Sequence, residues 1–303
     1  MNHKNTQLHH LIKIALTVFT TTLFTAGLIG CTKETPQIDA PAFFESIPAE
    51  SPYVLTSYEA IPQDIWNTWL THFADLSSIK NQLLSEFSAE ENPDLYGSEN
   101  PYDRIIQAVI DEIKIIVEKQ ELSTLGIGKN SKAALYGVGL LPAFWIELEN
   151  PELTKDFIAR IETKAQLKAT RKTLGTQEYL YFLDEKRPEL AAVVGILNNA
   201  LVGGITVPSL EEQMIPQILG HTKPKKNMKN TPTLHQIRTT YQYSPYLLGY
   251  FNLKSVATML KENTTSLARN TWLSLANSLA LPIRSIPPAC INDIDRIVNE
   301  IPR

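Results

Sequence analysis

Cysteine is scarce in this sequence, and its scarcity removes one kind of site at once. The 303 residues include two cysteines, Cys31 and Cys290, and neither has a histidine or a second cysteine at a metal-ligand spacing. A Cys/His metal cluster is therefore excluded. Apolar residues make up 43% of the chain, which is typical of a protein that folds around a hydrophobic core.

Histidine is also sparse. Three of the six histidines lie within the first ten residues, which leaves His72, His221 and His235 for the rest of the chain. None of these three has a histidine or an acid at the spacing of a metal pair, and the HExxH motif is absent. We expect His72 and His221 to lie at the surface or at helix boundaries, and we predict no metal site and no cofactor.

The motifs of α/β-hydrolases and P-loop proteins are missing. No GxSxG sequence occurs, and GIGKNSK (126–132) lacks the GxxxxGK[ST] spacing. This segment predicts a turn between two strands. The adjacent acids Glu211 and Glu212 follow Ser209 in the order of a helix capping box, so they suit a cap better than a general acid/base pair.

The sequence matches only some of the motifs of penicillin-recognising serine enzymes. Ser77-Ser-Ile-Lys80 has the SxxK pattern and Tyr250-Phe-Asn252 has the YxN pattern, but no Lys-Thr/Ser-Gly triplet follows. The chemistry requires the serine at a helix start, whereas Ser77 falls inside a predicted helix. We therefore predict no catalytic residue.

Basic residues are outnumbered by acids, 28 to 32, and no arginine-rich stripe occurs. Nucleic acid is therefore excluded as a partner, and an anionic membrane surface is a poor partner for the chain as a whole. The exception is the segment HTKPKKNMKN (221–230), with four lysines around a proline. We interpret it as a solvated loop. Contact with acidic lipid headgroups or with a partner is the alternative.

The longest apolar run is short and only moderately apolar. Ile14–Gly30 contains threonines and glycines, and it follows a basic segment that carries Lys4 and Lys13 and no acid. A membrane-spanning helix needs about 20 strongly apolar residues. The run therefore predicts a cleaved secretory signal. Removing it makes the remaining chain more acidic still.

Leu28-Ile29-Gly30-Cys31, at the end of this run, resembles the lipobox of bacterial lipoproteins. The resemblance implies cleavage between Gly30 and Cys31, a diacylglyceryl group on the Cys31 thiol, and a fatty acid such as palmitate on its amino group. Thr32 stands where an aspartate would imply inner-membrane retention, so the implied location is the periplasmic face of the outer membrane. An ordinary cleaved signal, or an uncleaved anchor with an incidental cysteine, is the alternative.

Cys290 has no intramolecular partner if Cys31 is acylated. We expect its thiol to be buried and inert, and a disulfide to a partner, or to sequence missing from this chain, is the alternative.

The rest of the chain alternates between helical and strand-like patterns. Helices are predicted over Gln63–Phe87, from Asn100-Pro101, from Asn150-Pro151 to about Gln166, and from Ser209. Strands are predicted in SPYVLTSYEAIP (51–62), LSTLGIG, AALYGVGLLP, FWIELE, TQEYLYFLD, ELAAVVGIL and ALVGGITVP, with a tight hairpin turn at Asn198-Asn199. These patterns predict an α+β fold, in which an antiparallel or mixed sheet carries helices packed on one face.

Aromatic side chains are concentrated on the predicted strands. We assign them to the core, and the lining of a pocket is the alternative. The residues are Tyr179, Tyr181, Phe182, Phe144 and Trp145.

One phrase occurs twice. SPYVLTSYEA (51–60) and SPYLLGYFNL (244–253) share Ser-Pro-Tyr, then aliphatic residues, then an aromatic at Tyr58 and at Phe251. Duplication and chance remain equal alternatives for this echo. The predicted division is a signal peptide (1–30), a lipidated cysteine and tether (31–50), an α+β domain (51–240) and a partial, mainly helical second repeat (241–303). Its helices are predicted over Leu253–Glu262, Trp272–Ala280 and Ala289–Glu300.

Three phrases also loosely resemble a family of proteobacterial lipoproteins of unknown function: SPYVL (51–55), ALYGVGLLPAFWIELENPE (134–152) and PPAC (287–290). The resemblance implies that the chain is a truncated member, because relatives extend further.

Two functions fit these observations. The first is a lipid-anchored envelope protein without enzymatic activity, which contacts the membrane through its anchor and has an envelope protein or a glycan as its partner. The second is a lipid-tethered hydrolase of envelope substrates.

Overall fold

The structure is a computed structural model, and it describes residues 40–62, 64–65, 68, 101–119, 122–184, 187–241, 244–259, 266–278, 292–293 and 296. These residues form an open antiparallel sheet of eight strands together with helices. The predicted α+β class is confirmed.

The strands are β1 (Tyr53–Thr56), β2 (Ala133–Val138), β3 (Leu141–Glu147), β4 (Thr170–Leu174), β5 (Gln177–Asp184), β6 (Arg187–Leu197), β7 (Ala200–Thr206) and β8 (Leu248–Phe251). The α-helices are α1 (Pro101–Lys119), α2 (Pro151–Ala165), α3 (Glu211–Ile218), α4 (Thr233–Tyr241), α5 (Leu253–Met259) and α6 (Leu267–Ser278). Short 3₁₀ helices span Ala42–Ser46, Leu122–Leu125, Pro208–Leu210 and Met228–Asn230. Across the sheet the strand order is β4-β5-β6-β7-β3-β2-β1-β8, so β4 to β7 form the expected meander.

Two helix starts confirm the predictions made from Asn-Pro pairs. Helix α1 begins at Pro101 and α2 begins at Pro151, where the missing proline N–H costs no intrahelical bond. The Asn150 side chain caps α2 by accepting a hydrogen bond from the Glu152 N–H at 3.1 Å. Gln166 then ends α2 in the left-handed region, with φ of 50°.

The capping box predicted for α3 is wrong, although the helix itself is present. The residue that precedes α3 is Leu210, which has no side-chain cap, because Ser209 lies in a 3₁₀ turn. The Ser209 hydroxyl forms its hydrogen bond with the Ser274 hydroxyl on α6. The Ser209 side chain therefore forms a tertiary contact instead of the cap that the local pattern predicts.

The hairpin predicted at Asn198-Asn199 is confirmed. Both residues adopt positive φ, 46° and 60°, and they connect β6 to β7, which are neighbours in the sheet. Asparagine tolerates this region better than other residues with a side chain, and the twist of a two-residue hairpin requires it.

Strand β4 was missed by the sequence analysis. Its sequence, TRKTL, is mainly polar, and its side chains are exposed or half-buried. Within the described sheet β4 is one of the two end strands, and it pairs with β5 from Thr170↔Tyr181 to Leu174↔Gln177. Positively charged residues are common on such edges because they discourage pairing with another chain.

The strand predicted at LSTLGIG is wrong, because Leu122–Leu125 is a 3₁₀ helix. Gly126 follows it with φ of +80°, and a Cβ there would lie 2.2 Å from the Asn150 carbonyl oxygen. The Gly126 carbonyl accepts hydrogen bonds from the N–H groups of Glu149 and Asn150, at 2.8 and 3.1 Å. GIGKNSK therefore connects a 3₁₀ helix to β2, and the predicted turn between two strands is also wrong.

The chain divides into two compact units, each built from segments that are distant in sequence. The first comprises the described parts of Met1–Tyr58, Ala134–Phe144 and Gly204–Arg303, and the second those of Glu59–Ala133 and Trp145–Gly203. The sequence analysis placed its boundaries consecutively along the chain, because sequence patterns do not reveal such interleaving.

In the second unit, helices α1 and α2 share two apolar clusters. Ala108 on α1 packs with Ile161 and Ala165 on α2, and Ile116 packs with Leu122. Half-buried apolar residues surround these clusters, namely Ile105, Val109, Leu125, Phe157 and Leu167. Ile105, Val109 and Ile116 belong to the stripe that the helical spacing predicts.

In the first unit, β1 lies between β2 and β8. Val54 is opposite Tyr136 of β2 on one side and Tyr250 of β8 on the other. The buried Ser51 hydroxyl adds a further link, because it accepts a hydrogen bond from the Gly137 N–H at 2.9 Å. Tyr53 donates a longer hydrogen bond, 3.3 Å, to the Leu140 carbonyl.

The two copies of Ser-Pro-Tyr have different structural roles. Tyr53 lies in β1, whereas Tyr246 lies in a turn before β8, and the Ser244 hydroxyl accepts a hydrogen bond from the Tyr246 N–H at 3.3 Å. The Pro245 carbonyl accepts a hydrogen bond from the Tyr58 N–H at 2.9 Å, so the two phrases contact each other. The duplication stays a prediction.

Replacing Tyr136 by phenylalanine should leave stability unchanged or raise it by up to about 1 kcal/mol. The Tyr136 side chain is 1% exposed, and its hydroxyl finds no hydrogen-bond partner among the described residues. Removing an unpaired buried hydroxyl removes a desolvation penalty. The matched control is Tyr53→Phe, which loses a hydrogen bond and should cost roughly 0.5–1.5 kcal/mol. Urea unfolding measures both, and a larger loss for Y136F would contradict this assignment.

Candidate functional site

The predicted attachment residues Gly30 and Cys31 lie outside the described residues, as do His72, Ser77, Lys80 and Cys290. Of the predicted helix Gln63–Phe87, the structure describes Asp64, Ile65 and Thr68, which are helical. The described chain begins at Ala40, within the predicted tether (31–50) and eleven residues before the predicted α+β domain starts at residue 51.

The first described residues are packed into the protein, although the sequence analysis placed them in the tether. Phe43 and Phe44 lie in the 3₁₀ helix Ala42–Ser46 and are 5% and 0% exposed. The Phe44 ring meets the rings of Phe43 and Tyr58 edge-on, with centroids 5.0 Å apart in each pair. Edge-to-face contacts of this kind stabilise aromatic clusters. The packed part of the described chain therefore begins at residue 42.

Glu45, in the same 3₁₀ helix, binds two lysines of the segment 221–230, which we call the lysine segment. Its carboxylate accepts hydrogen bonds from Lys229, at 2.6 Å, and from Lys223. The Lys223 and Lys229 ammonium groups lower the pKa of Glu45 to about 2. Glu45 therefore stays ionised well below its ordinary range, and the contribution of the two ion pairs to folding stability is lost as the pH falls from about 4.5 toward 2.

Backbone pairing fixes the lysine segment to the same part of the chain. The N–H of Met228 donates to the Ile47 carbonyl at 2.9 Å, and the N–H of Ala49 donates to the Lys226 carbonyl at 3.0 Å. Asn227 begins the short 3₁₀ helix Met228–Asn230, and its side chain accepts a hydrogen bond from the Asn230 N–H. Met228 is 1% exposed. The interpretation as a solvated loop holds for the lysines but not for Asn227 and Met228, which are buried.

The exposed part of the lysine segment is strongly basic. Lys225 and Lys226 are exposed, and the side chains of Lys223 and Lys229 remain 61% and 42% exposed while they bind Glu45. Two of the four lysines therefore pair with one carboxylate, close to the point where the chain enters the folded body.

A second charged cluster joins α1 to α2. The Glu112 side chain is 6% exposed and lies 2.9 Å from Arg160 Nε and 2.5 Å from Lys164 Nζ. Burial raises the pKa of Glu112, but hydrogen bonds from Lys164 and Arg160 outweigh it, so the pKa lies below its ordinary value. Asp156, Ala159 and Thr163 line a shallow depression on α2 beside these cations. We call Glu112, Arg160 and Lys164 the helix clamp.

The helix clamp was missed by the sequence analysis, although a signal for its acid exists. Glu112 is four residues from Ala108 and from Ile116, so helical spacing places it on the buried face of α1. An acid on an apolar face predicts a buried partner. The sequence does not show that α2 supplies this partner.

Two of the histidines, His221 and His235, lie within the described residues. His221 follows the end of α3 and is exposed, as expected, and His235 is exposed on α4. Tyr250 and Asn252 of the YxN match have structural contacts. The Tyr250 hydroxyl donates to the Met228 sulfur at 3.6 Å, and the Asn252 side chain accepts from the Ser255 N–H at the start of α5.

Successive side chains of a strand point to opposite faces of the sheet, so the aromatic residues of β5 lie on two faces. Tyr179 and Tyr181 of β5 share one face and are 7% and 6% exposed, whereas Phe182 lies on the opposite face. The Lys172 ammonium stands 3.4 Å from the centre of the Tyr181 ring. Burial of both tyrosines supports their assignment to the core.

Tyr58 contacts a buried cation as well. The Arg238 side chain is 2% exposed, and its guanidinium carbon lies 5.3 Å from the centre of the Tyr58 ring, within the range of a cation–π contact. Burial raises the pKa of Tyr58 to about 12, although the Arg238 charge acts in the opposite direction. The ring therefore stays neutral over the physiological range. Together with Phe44, it links the entering chain to α4.

Over the ranges that the structure describes, no group of three or more His, Cys, Asp or Glu side chains is placed to hold a metal ion. Nor does any helix in those ranges combine the length and apolarity that crossing a membrane requires. No family model matches the chain, and no curated protein or solved structure is significantly similar to it.

Proposed function

We propose that this chain is a lipoprotein of the bacterial outer membrane, anchored at its periplasmic face through Cys31, and that its folded body is a binding or envelope-structural protein rather than an enzyme. The observation that carries the proposal is the order of features in the first 31 residues. A basic segment, a short apolar run and Leu28-Ile29-Gly30-Cys31 follow one another as they do in lipoproteins.

The position of the first packed residues supports the anchor. Phe43 and Phe44 are buried, so the connection between Cys31 and the body is about a dozen residues long. A fully extended chain spans at most about 3.3–3.6 Å per residue. A lipid on Cys31 would therefore hold the body within roughly 40 Å of the bilayer. The polar segment TKETPQIDA (32–40) suits such a connection.

The chemistry of the charged clusters supports a role without catalysis. Glu45 and Glu112 each bind two cations, and each has a pKa below its ordinary value. A general acid or base needs a pKa near the working pH, whereas these carboxylates stay ionised there. Each cluster also joins two elements of the fold. The partner of such a body in the envelope would be a protein or a glycan.

Replacing Cys31 by serine should leave the precursor uncleaved and abolish incorporation of a labelled fatty acid. The thiol is the only group at this position that accepts the diacylglyceryl moiety in lipoproteins, and cleavage depends on that modification. Immunoblotting against the body shows the size of the product, and autoradiography shows the label.

Cys290→Ser is the matched control, and it should be processed and labelled like the wild type. A Cys31→Ser product of mature size, or one that retains the label, would refute the anchor.

A further inference from the structure

The lysine segment lies where the chain enters the folded body. Backbone hydrogen bonds join Ile47 and Ala49 to Met228 and Lys226, and Glu45 binds Lys223 and Lys229. These contacts hold the segment beside residues that follow Cys31 by only 14 to 18 positions. Whatever holds Cys31 therefore also keeps the lysine segment nearby.

We infer that the lysine segment binds the anionic phospholipid headgroups of the leaflet in which Cys31 is anchored. The inference rests on the proposed function, and it adds a second, electrostatic contact between the body and the membrane. Lysines close to an anionic membrane surface each contribute to binding, in addition to the hydrophobic contribution of the lipid anchor.

The geometry suits this role because the lysines are fixed without being hidden. Lys225 and Lys226 are exposed. Glu45 positions Lys223 and Lys229, whose side chains nevertheless remain 61% and 42% exposed, respectively. One carboxylate cannot neutralise four ammonium groups. Met228 and Asn227 are buried, so the backbone that carries the lysines is packed against the body.

The net negative charge of the chain does not oppose a local contact of this kind. The full chain carries a formal charge of −4. Salt reduces electrostatic interactions over a Debye length of about 8–10 Å at physiological ionic strength. A membrane that contacts the lysine segment therefore experiences mainly the charges within that distance. The sequence analysis judged an anionic surface a poor partner from whole-chain charge alone.

Lysine acylation of the full-length, lipidated protein in vesicles tests the inference. The protein is reconstituted in phosphatidylcholine vesicles, with or without about one-third phosphatidylglycerol, and treated with a water-soluble amine-reactive reagent. Peptide mass spectrometry then gives the labelling rate of each lysine. On the anionic vesicles we expect labelling of Lys225 and Lys226 to slow roughly fivefold, the factor for one lysine at an anionic surface. High salt should restore the rate.

A double substitution supplies the matched comparison. In Lys225→Gln/Lys226→Gln, the remaining Lys223 and Lys229 should label at nearly the same rate on both vesicles. Lys155→Gln/Lys168→Gln removes the same charge from exposed sites outside the segment and should leave the fivefold difference unchanged.

The outcomes separate the two proposals. Protein that carries no acyl chains by mass overturns the proposed function and this inference with it. Acylated protein whose Lys225 and Lys226 label equally fast on both vesicles overturns this inference alone. Protection that is found in native envelope vesicles, but not on phosphatidylglycerol, would point to a protein partner and would also overturn it.

Discussion

Replacing Arg160 and Lys164 together by alanine should lower the free energy of unfolding by about 3–5 kcal/mol. The double substitution leaves Glu112, whose side chain is 6% exposed, as a buried charge without either cation. Burying an unpaired carboxylate costs several kcal/mol, and Arg160 also loses its contact with the Phe157 ring at 5.9 Å. The measurement is urea unfolding followed by circular dichroism.

Glu112→Leu is the matched control, and it should cost less than about 1.5 kcal/mol. Leucine fills a similar volume on the apolar face of α1, between Ala108 and Ile116. The two cations, which are 44% and 39% exposed, can then be hydrated where they stand. If Glu112→Leu lowers the free energy of unfolding as much as the double alanine substitution does, the loss of stability does not arise from burying an unpaired Glu112 carboxylate.

The helix clamp also predicts how these variants respond to pH. In the wild type the pKa of Glu112 is lowered, so its stabilising contribution is complete above the unfolded value of about 4.5 and is lost as the pH falls below it. Without Arg160 and Lys164 only burial acts, and burial raises the pKa. The free-energy cost of burying Glu112 in the double variant should therefore decrease as the pH falls, because the carboxylate becomes protonated. The stability gap between it and the wild type should begin to narrow above pH 4.5, where Glu112 of the variant takes up its proton, and should narrow further below pH 4.5, where the wild type loses its ion pairs.

Replacing Phe44 by alanine should also cost about 3–5 kcal/mol, the usual range for a buried phenylalanine. Phe44 is 0% exposed and packs edge-on against Phe43 and Tyr58, so the substitution removes an aromatic ring from a closed cluster. The result tests whether the body begins at residue 42, inside the stretch that the sequence assigned to the tether. Urea unfolding again provides the measurement.

Glu45→Gln, one position away, is the comparison for Phe44→Ala. It breaks ion pairs to Lys223 and Lys229, whose side chains are largely exposed, and exposed pairs of this kind contribute little to stability. A loss for Phe44→Ala no greater than that for Glu45→Gln would mean that residues 42–46 are not part of the core.

Local signals predicted those parts of the fold that depend on neighbouring residues. Asn150-Pro151 predicted the start of α2, and Asn198-Asn199 predicted the hairpin between β6 and β7. In both cases a side chain and the backbone within two or three residues determine the conformation. The same local reasoning failed at Ser209, because its hydroxyl bonds to Ser274, 65 residues away.

The charged clusters depend on contacts that the sequence does not show. Glu45 meets Lys223 and Lys229 across 178 and 184 residues, and Glu112 meets Arg160 across 48. The lysine segment was visible as a run of charge, but its position beside the entry of the chain was not. Strand β4 was missed for a related reason, since its polar sequence becomes a strand through pairing with β5 at the edge of the described sheet.

The most direct test of the anchor is the mass of the N-terminal peptide of the mature protein, purified from membranes. The account predicts a chain that begins at Cys31 and carries a diacylglyceryl group and a fatty acid at that residue. A peptide that retains the leader, or one that begins at or beyond Cys31 without acyl chains, would contradict it.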